Sequence, residues 1–472
     1  MSRLSDRWFI VLTWLAALVT GLALARLASI AGLDVQRNYN EGWNAYHALA
    51  AMGGGALYPR APSMMVDNYP PLSFFVTGWL GKLIPDLVVA GRIISLLSTL
   101  IAAAAIFAIA RAMAVTRIEA LFAAALFLAK LLAASVYVGI NDPQMLGHAL
   151  GCLGFLAAIA QPPSTRRLAL SALLLTLAMF VKHMLVVQPL ALLIWFAWYD
   201  RKSALGFGAF GILFAALGLV LTRIALGVDL FDALATPRLY QFSWLLQSLE
   251  DFLLVSFAPL AAGLYLFVRS KDRFAVLCGL YTLLAFIIGL LFDGGAGVGR
   301  NALFDAAIGG ALCAALLVHR LRLHRPVFAF VFALACLVPP LVAALENAKS
   351  TWLTRQHWLR PLENAVVQSK ADVAFIRNRP GPAMCERLAV CYWAGKAPEV
   401  DAFNFVQAVR THQRDEGELT RLVEARYFST IEMRLQPRLA DLPQVMKAIT
   451  RNYRVARRTR VAMLLIPREP AL

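Results

Sequence analysis

Residues 8–345 are a succession of long apolar runs separated by short polar joints. No other feature constrains the fold as strongly. Inside a bilayer every backbone N–H and C=O must find a partner within the protein, which leaves α-helices or a closed barrel as the spanning structures. Continuous apolar runs near twenty residues match a helix crossing about 30 Å of hydrocarbon. Such runs lie at 8–27, 87–111, 118–139, 144–160, 166–182, 184–199, 204–226, 251–268, 274–292, 302–318 and 326–345, and predict about eleven transmembrane helices. The piece at 73–84 is too short to span and reads as an interfacial or re-entrant helix. A cleaved signal peptide competes for the first run, but that run is longer than an ordinary secretory h-region and reads as a retained helix. Composition agrees: 60% of the 472 residues are hydrophobic and 15% charged, against roughly 25% charged in soluble domains.

The formal charge of +17 raises nucleic acid as a partner, and its placement argues for none. Much of it lies in short joints: Arg3 and Arg7, Arg111 and Arg117, Arg166 and Arg167, Arg201 and Lys202, Arg269 to Arg273, and His319 to Arg325. With alternating spans these joints share one face, which the positive-inside rule makes cytoplasmic. The opposite face collects the acidic and amide loops: 34–72, Asn141-Asp142-Pro143, Lys182-His183, 229–251 and Phe292 to Asn301. The tail 346–472 falls on that face too and reads as a small periplasmic α/β domain, giving two domains, 1–345 and 346–472. Strands are expected at 371–376, 427–433 and 461–466, with helices at 416–426 and 442–451 between them. Cys385 and Cys391 lie six apart in this tail. In an oxidising compartment they are either a small-loop disulfide or two free thiols.

The chemistry-bearing residues interrupt the apolar body. Glu41 follows the first span within a helix-like stretch, where a carboxylate can act as general base toward a hydroxyl or remain a solvated loop acid. Asp142 breaks the apolar stretch 118–160 and is costly there unless it faces water or a partner. It also suits a turn, with Pro143 opening the next helix. Lys182-His183 interrupts another run; a cation there can bind phosphate or stabilise a leaving group, or simply snorkel. Asp293 to Asn301 is glycine-rich without a preceding strand, so it is a flexible turn rather than a dinucleotide site, and Arg300 is placed to hold an anion. Lys130 is an intramembrane charge without an obvious partner. No three His or acid residues stand at metal-ligand spacing, so no cofactor is named and a divalent metal stays open.

An acidic first external loop, then Tyr69-Pro70-Pro71-Leu72, then Gly91-Arg92-Ile93 at the start of a span, resembles the GT-C glycosyltransferases. The nearest branch is the family-39-like one, related to protein O-mannosyltransferases and lipid A aminoarabinose transferases. In that family an Asp-Glu pair opens the first-loop helix and supplies the catalytic carboxylate. Here the pair reads Asn40-Glu41, so the resemblance makes Glu41 the first candidate and Asp34 the second. Asp142 matches the family's second external acid, Phe180-Val-Lys182 its lysine at a span end, and Asn301-Ala-Leu-Phe304-Asp305 its external turn.

The resemblance therefore implies an inverting glycosyltransferase in a bacterial inner membrane, with Glu41 and Asp142 catalytic. Lys182, His183 and Arg300 would bind the phosphate of a polyprenyl-phosphate sugar. Asp34, Asn40, Tyr69, Asn301 and Asp305 would shape the substrate loops, and the acceptor would be a lipid, a glycan or a protein. The competing class is a non-catalytic lipid-linked-sugar transporter or an assembly scaffold of the cell envelope.

Overall fold

The computed structural model describes residues 2–134, 137–160, 164–352 and 355–469. The chain opens with α1 (Ser2–Ser29), and the first loop then carries α2 (Tyr39–Leu49) and α3 (Leu72–Gly81). The helical body continues through α4 (Leu87–Ala112), α5 (Arg117–Ala133), α6 (Gln144–Ile159), α7 (Thr165–Val181), α8 (Val187–Tyr199) and α9 (Arg201–Leu226). After the short α10 (Leu230–Leu234) come α11 (Phe242–Arg269), α12 (Arg273–Asp293), α13 (Phe304–His324) and α14 (Pro326–Trp352). Every expected span coincides with one of these helices. Seven segments among the described residues are long and apolar enough to cross a membrane: α1, α4, α9, α11, α12, α13 with the turn before it, and α14. The helices α5 to α8 have 17, 16, 17 and 13 residues, so the expected count of eleven crossings does not follow from length. Non-helical segments at 137–142 and Lys182–Val186 separate α5 from α6 and α7 from α8. The apolar piece at 73–84 is α3, packed against α2 and α4 rather than spanning.

One face of the body is tied by its basic joints. His319 Nδ1 lies 2.8 Å from Glu119, and Arg322 donates to Glu119 at 2.8 Å and to Asp6 at 3.1 Å. Arg320 meets Asp272 at 3.3 Å. These pairs gather the N-terminus, the start of α5, the α11–α12 joint and the end of α13 at one end of the bundle. The first loop, the turn before α6, Lys182 and the turn before α13 meet at the other end.

The tail adds α15 (Arg355–Arg377), β1 (Ala383–Cys385), α16 (Leu388–Trp393), α17 (Ala402–Arg410), α18 (Gly417–Glu424), β2 (Thr430–Arg434), α19 (Pro443–Asn452), β3 (Tyr453–Arg458) and β4 (Ala462–Pro467). The sheet order is β1-β2-β4-β3, with β1 and β2 parallel and the other pairs antiparallel. The strand expected at 371–376 is instead the end of α15. Ser369, Asp372, Val373 and Ile376 are buried at helical spacing, and the buried Asp372 pairs with Arg387 at 2.8 Å. Two strands were not anticipated: β1 is only three residues long, and β3 reads Tyr-Arg-Val-Ala-Arg-Arg, with no apolar alternation. Cys385 and Cys391 form a disulfide joining β1 to α16.

Candidate active site

Two glycines, Gly42 in the first loop and Gly91 in α4, allow close approaches around the site. A Cβ on Gly42 would overlap the backbone at Leu388 and Ala389, so α16 seats directly on α2. A Cβ on Gly91 would overlap the Asn141 side chain, so α4 touches the turn before α6. Asn38 caps α2 by accepting from the Asn40 N–H at 2.9 Å.

Glu41 does not face a cavity. It is fully buried beside an equally buried Arg92, which donates to it through Nε at 2.6 Å and Nη2 at 3.0 Å. The Arg37 N–H donates to Glu41 Oε2 at 2.6 Å and the Asn141 N–H to Oε1 at 3.4 Å. Arg92 spends its remaining donors on the carbonyls of Ala31, Leu33 and Val35 at 2.9, 2.7 and 2.6 Å. Each Glu41 oxygen thus accepts two hydrogen bonds, one of them from a guanidinium, and neither keeps a lone pair for an acceptor hydroxyl. The expectation that Glu41 is the base is replaced by a positioning role: it and Arg92 clamp the loop end of α1 to α2. Asp34 lies in that clamped stretch, outside the polar cluster, and does not take over.

The Asp142 side chain is likewise without exposed surface. Asn40 Nδ2 donates to its Oδ2 at 2.7 Å, and the Gln144 N–H donates to its Oδ1 at 2.9 Å. The Lys182 ammonium is 3.9 Å from Oδ1 and 5.1 Å from the Tyr69 ring centre. Asn301 completes the group. With its amide oxygen turned toward the ammonium at 3.0 Å, its NH2 faces Gly299 O at 2.9 Å and Tyr137 OH at 3.2 Å. Asn44 Nδ2 donates to Asn141 O at 2.9 Å and ties the turn to α2. Asn40, Asp142, Lys182, Tyr69 and Asn301, taken from four distant stretches, therefore converge. Through Asn40 and Tyr69 the group borders a cavity of about 230 Å³ that is also lined by Asn68, Tyr39, Trp43, Tyr137, Phe403, Arg238 and Arg438.

Other expected residues stand apart. Arg300 is 57% exposed and pairs with Asp251 at 2.6 Å, away from Lys182. It does not join the ammonium at a shared phosphate position. His183 is next to Lys182, but burial, then the charges of Lys182 and Arg238, push its pKa down to about 4. It is a neutral imidazole at pH 7 and supplies no cation to a phosphate. Asp305 lies in the helical interior rather than in a substrate turn: it accepts from Tyr281 OH at 2.6 Å and lies 3.6 Å from His148 Nδ1. Gln188 donates to Tyr281 at 2.9 Å, and Gln144 Nε2 lies 2.7 Å from His148 and 3.3 Å from the Asn301 carbonyl. These contacts continue the polar cluster inward.

The sequence reading missed three contributors. Arg92 entered only as part of a motif, and its partner was invisible until the loop closed. The His47–Asp67 pair lies buried under Trp43 and Phe74, with Nδ1 3.7 Å from Oδ2. Burial lowers the His47 pKa to about 3 and raises that of Asp67, disfavouring the charge on both. The tail also reaches the site: Tyr39 OH donates to Asp401, and the rings of Tyr39 and Phe403 are 5.9 Å apart. Its fully buried Asp401 was an unremarkable loop acid in the sequence. Among the described residues no group of three His, Cys, Asp or Glu side chains is placed to hold a metal ion.

No family model matches the chain, and no curated protein matches it in sequence. Among solved structures it is similar to ArnT from Cupriavidus metallidurans in two crystal forms, one in the apo state and one bound to undecaprenyl phosphate. Identity is 13% and 12%, each alignment covers 95% of this chain and 97% of the other, and each TM-score is 0.60. At that identity the likeness is one of fold, and it extends over the membrane body and the tail together.

Proposed function

We propose that this chain is an inverting GT-C-type glycosyltransferase that moves a sugar from a polyprenyl-phosphate donor to an acceptor hydroxyl. The fold shared with a protein seen bound to undecaprenyl phosphate supports the donor class. The observation that carries the reading is the meeting of Asp142, Lys182, Asn40 and Asn301 beside an aromatic-walled cavity of about 230 Å³. Carboxylate, ammonium and aromatic walls are what transfer from a lipid phosphate calls for: a proton acceptor, a counter-charge and flat faces for a sugar ring.

In this reading Asp142 is the base. Asn40 holds its Oδ2 by one hydrogen bond and leaves the second lone pair of that oxygen for the acceptor hydroxyl. As the acceptor oxygen bonds to C1 of the sugar, its proton passes to Asp142. The C1–O bond to the donor phosphate breaks, and the electron pair leaves with the polyprenyl phosphate. Lys182 offsets the charge that grows on that phosphate, assisted by the enclosure that strengthens charge–charge interactions. Glu41 and Arg92 keep the first loop in place. Because one carboxylate serves as base and the attack comes from the face opposite the leaving group, the anomeric configuration inverts.

The test is transfer from a radiolabelled polyprenyl-phosphate sugar by purified protein. Asp142→Asn is expected to lower turnover by about 10²–10⁴, the range for losing a general base, while the variant melts near the wild-type temperature. Wild-type turnover in Asp142→Asn and Lys182→Ala together would remove this mechanism, and no transfer by the wild-type protein would favour the transporter or scaffold class.

A further inference from the structure

A second cavity lies beside the first, between the first loop and the tail, with a volume of about 680 Å³. Its charge is one-sided. Arg37, Arg387, Arg434 and Arg438 line it, against the carboxylate of Glu386. Arg387 is already neutralised by Asp372 at 2.8 Å and Glu432 at 2.6 Å. Glu386 gives its two oxygens to the N–H groups of Arg434, at 2.8 Å, and Leu439, at 3.1 Å, and burial raises its pKa. Among the described residues Arg37, Arg434 and Arg438 form no ion pair, so the cleft carries an unbalanced positive charge.

Arg438 is the sharpest part of this picture. Its guanidinium lies over the rings of Tyr39 and Phe403, 4.5 and 4.9 Å from their centres. Its Nε is buried with no hydrogen-bond partner. A guanidinium held by its faces keeps its edge N–H groups for an acceptor in its own plane, and that fork fits phosphate or carboxylate. A buried donor left unpaired is costly, so a ligand oxygen placed there would be favoured. Asn38, Tyr39 and Arg438 line both cavities, so the basic cleft opens onto the aromatic one. The cleft is walled by residues 35–39, α15 and the sheet of the tail, with no contribution from α4 to α14. It therefore suits a water-facing headgroup or glycan rather than an acyl chain.

We infer that this cleft binds the acceptor, and that the acceptor is an anionic saccharide whose phosphate or carboxylate is held by Arg434 and Arg438 while its hydroxyl enters the aromatic cavity. The inference rests on the transferase reading and assigns acceptor selection to the tail. Phosphate and carboxylate share the recognition chemistry, and the probes separate them.

The experiment titrates full-length protein in nonionic detergent with galactose 6-phosphate, galacturonate and galactose, following tryptophan fluorescence, since Trp43 lines the aromatic cavity. At least one anionic sugar is expected to bind about tenfold more tightly than galactose, with the preference fading as salt rises. Whichever anion binds better identifies the group the cleft prefers. Arg434→Gln is expected to reduce the preference, and Arg434→Gln with Arg438→Gln to abolish it. The single variant changes an exposed side chain and keeps the test valid if the double variant misfolds. Equal binding of all three sugars, no binding of any, or an undiminished preference in Arg434→Gln overturns the inference. Asp142→Asn separates the two readings: retained preference with lost transfer supports both, and retained preference in a protein that never transfers sugar removes only the transferase reading.

Discussion

At the residue scale, two adjacent positions have opposite fates. Glu41 looks like the base and is a structural ion; Asn40 looks inert and holds the carboxylate proposed as the base. Burying the Glu41–Arg92 pair is tolerated because every donor and acceptor on both groups is used. Removing one partner leaves the other buried and unpaired, which costs about 3–5 kcal/mol. Arg92→Ala is therefore expected to lower the melting temperature and the yield of folded protein far more than Asp142→Asn does, as read by thermal unfolding in detergent. Asn40→Asp tests the other position. The Asn40 nitrogen is 2.7 Å from Asp142 Oδ2, so the variant sets two carboxylates against each other. Such a pair shares one proton, and the second ionisation is pushed upward. The alkaline-going rise of the pH–rate profile should move to higher pH than in the wild type; an unmoved profile would show that Asn40 and Asp142 do not meet in the working protein.

At the element scale, α2 is the piece on which the site depends. It is buried along most of its length, from Glu41 to Ala48, between α4, α3 and the tail's α16. Its packing has a pH dependence with a definite sign. The His47 pKa is lowered to about 3 in the folded chain, from an ordinary value near 6.5. Below pH 6.5 the unfolded chain takes up a proton that the folded chain refuses, so stability falls with acid by about 1.4 kcal/mol per pH unit. Asp67 runs the other way: its folded pKa is raised, so its contribution is lost as pH climbs above the ordinary carboxylate range. Between pH 5 and 6.5 the two slopes therefore oppose each other, and Asp67→Asn leaves His47 to act alone. The melting temperature of Asp67→Asn should drop from pH 6.5 to pH 5 by more than that of the wild type, as read by thermal unfolding in detergent. Gly42→Ala carries a second expectation for the same element. Its Cβ would meet the backbone of α16, which has no side chain to turn away, so α2 and the tail would separate and transfer would fall with stability.

At the scale of the whole molecule, the tail is part of the site. Tyr46 OH donates to Lys396 O at 2.8 Å, Trp393 Nε1 to Asp86 at 3.0 Å, and the Ala389 N–H to Gln36 at 2.9 Å. These contacts put the tail at the same end of the bundle as the first loop and Lys182, opposite the arginine-rich joints. The positive-inside rule leads us to expect that end on the side away from the cytoplasm. Single cysteines replacing Lys447 in the tail and Lys202 in a basic joint, in a background lacking the native free thiols, read this out. A membrane-impermeant maleimide applied from the periplasmic side is expected to label the first and spare the second, and the reverse pattern would invert the topology.

How much of this was legible in the chain depended on the range of the interaction involved. Hydrophobic run length is local, so the helices of the body, the polar joints and the shared face of the arginines could be read residue by residue. The tail was read less well, because Asp372 and Arg387 form their pair across an element boundary and β3 has no apolar alternation. Asp142 and Lys182 were recognisable as costly charges in an apolar setting. Nothing in the spacing of Asn40, Glu41 and Asp142 shows which carboxylate is engaged: that follows from Arg92, 51 positions beyond Glu41, and from Asn141, 100 positions beyond it. Ion pairs and hydrogen bonds act over a few ångströms in space whatever the separation along the chain. The sequence by itself therefore determined that this protein lies in a membrane with its acidic loops on one side. Only the tertiary fold decided which acid is locked to an arginine, which one meets Asn40 and Lys182, and that residues of the tail line the adjoining cavity.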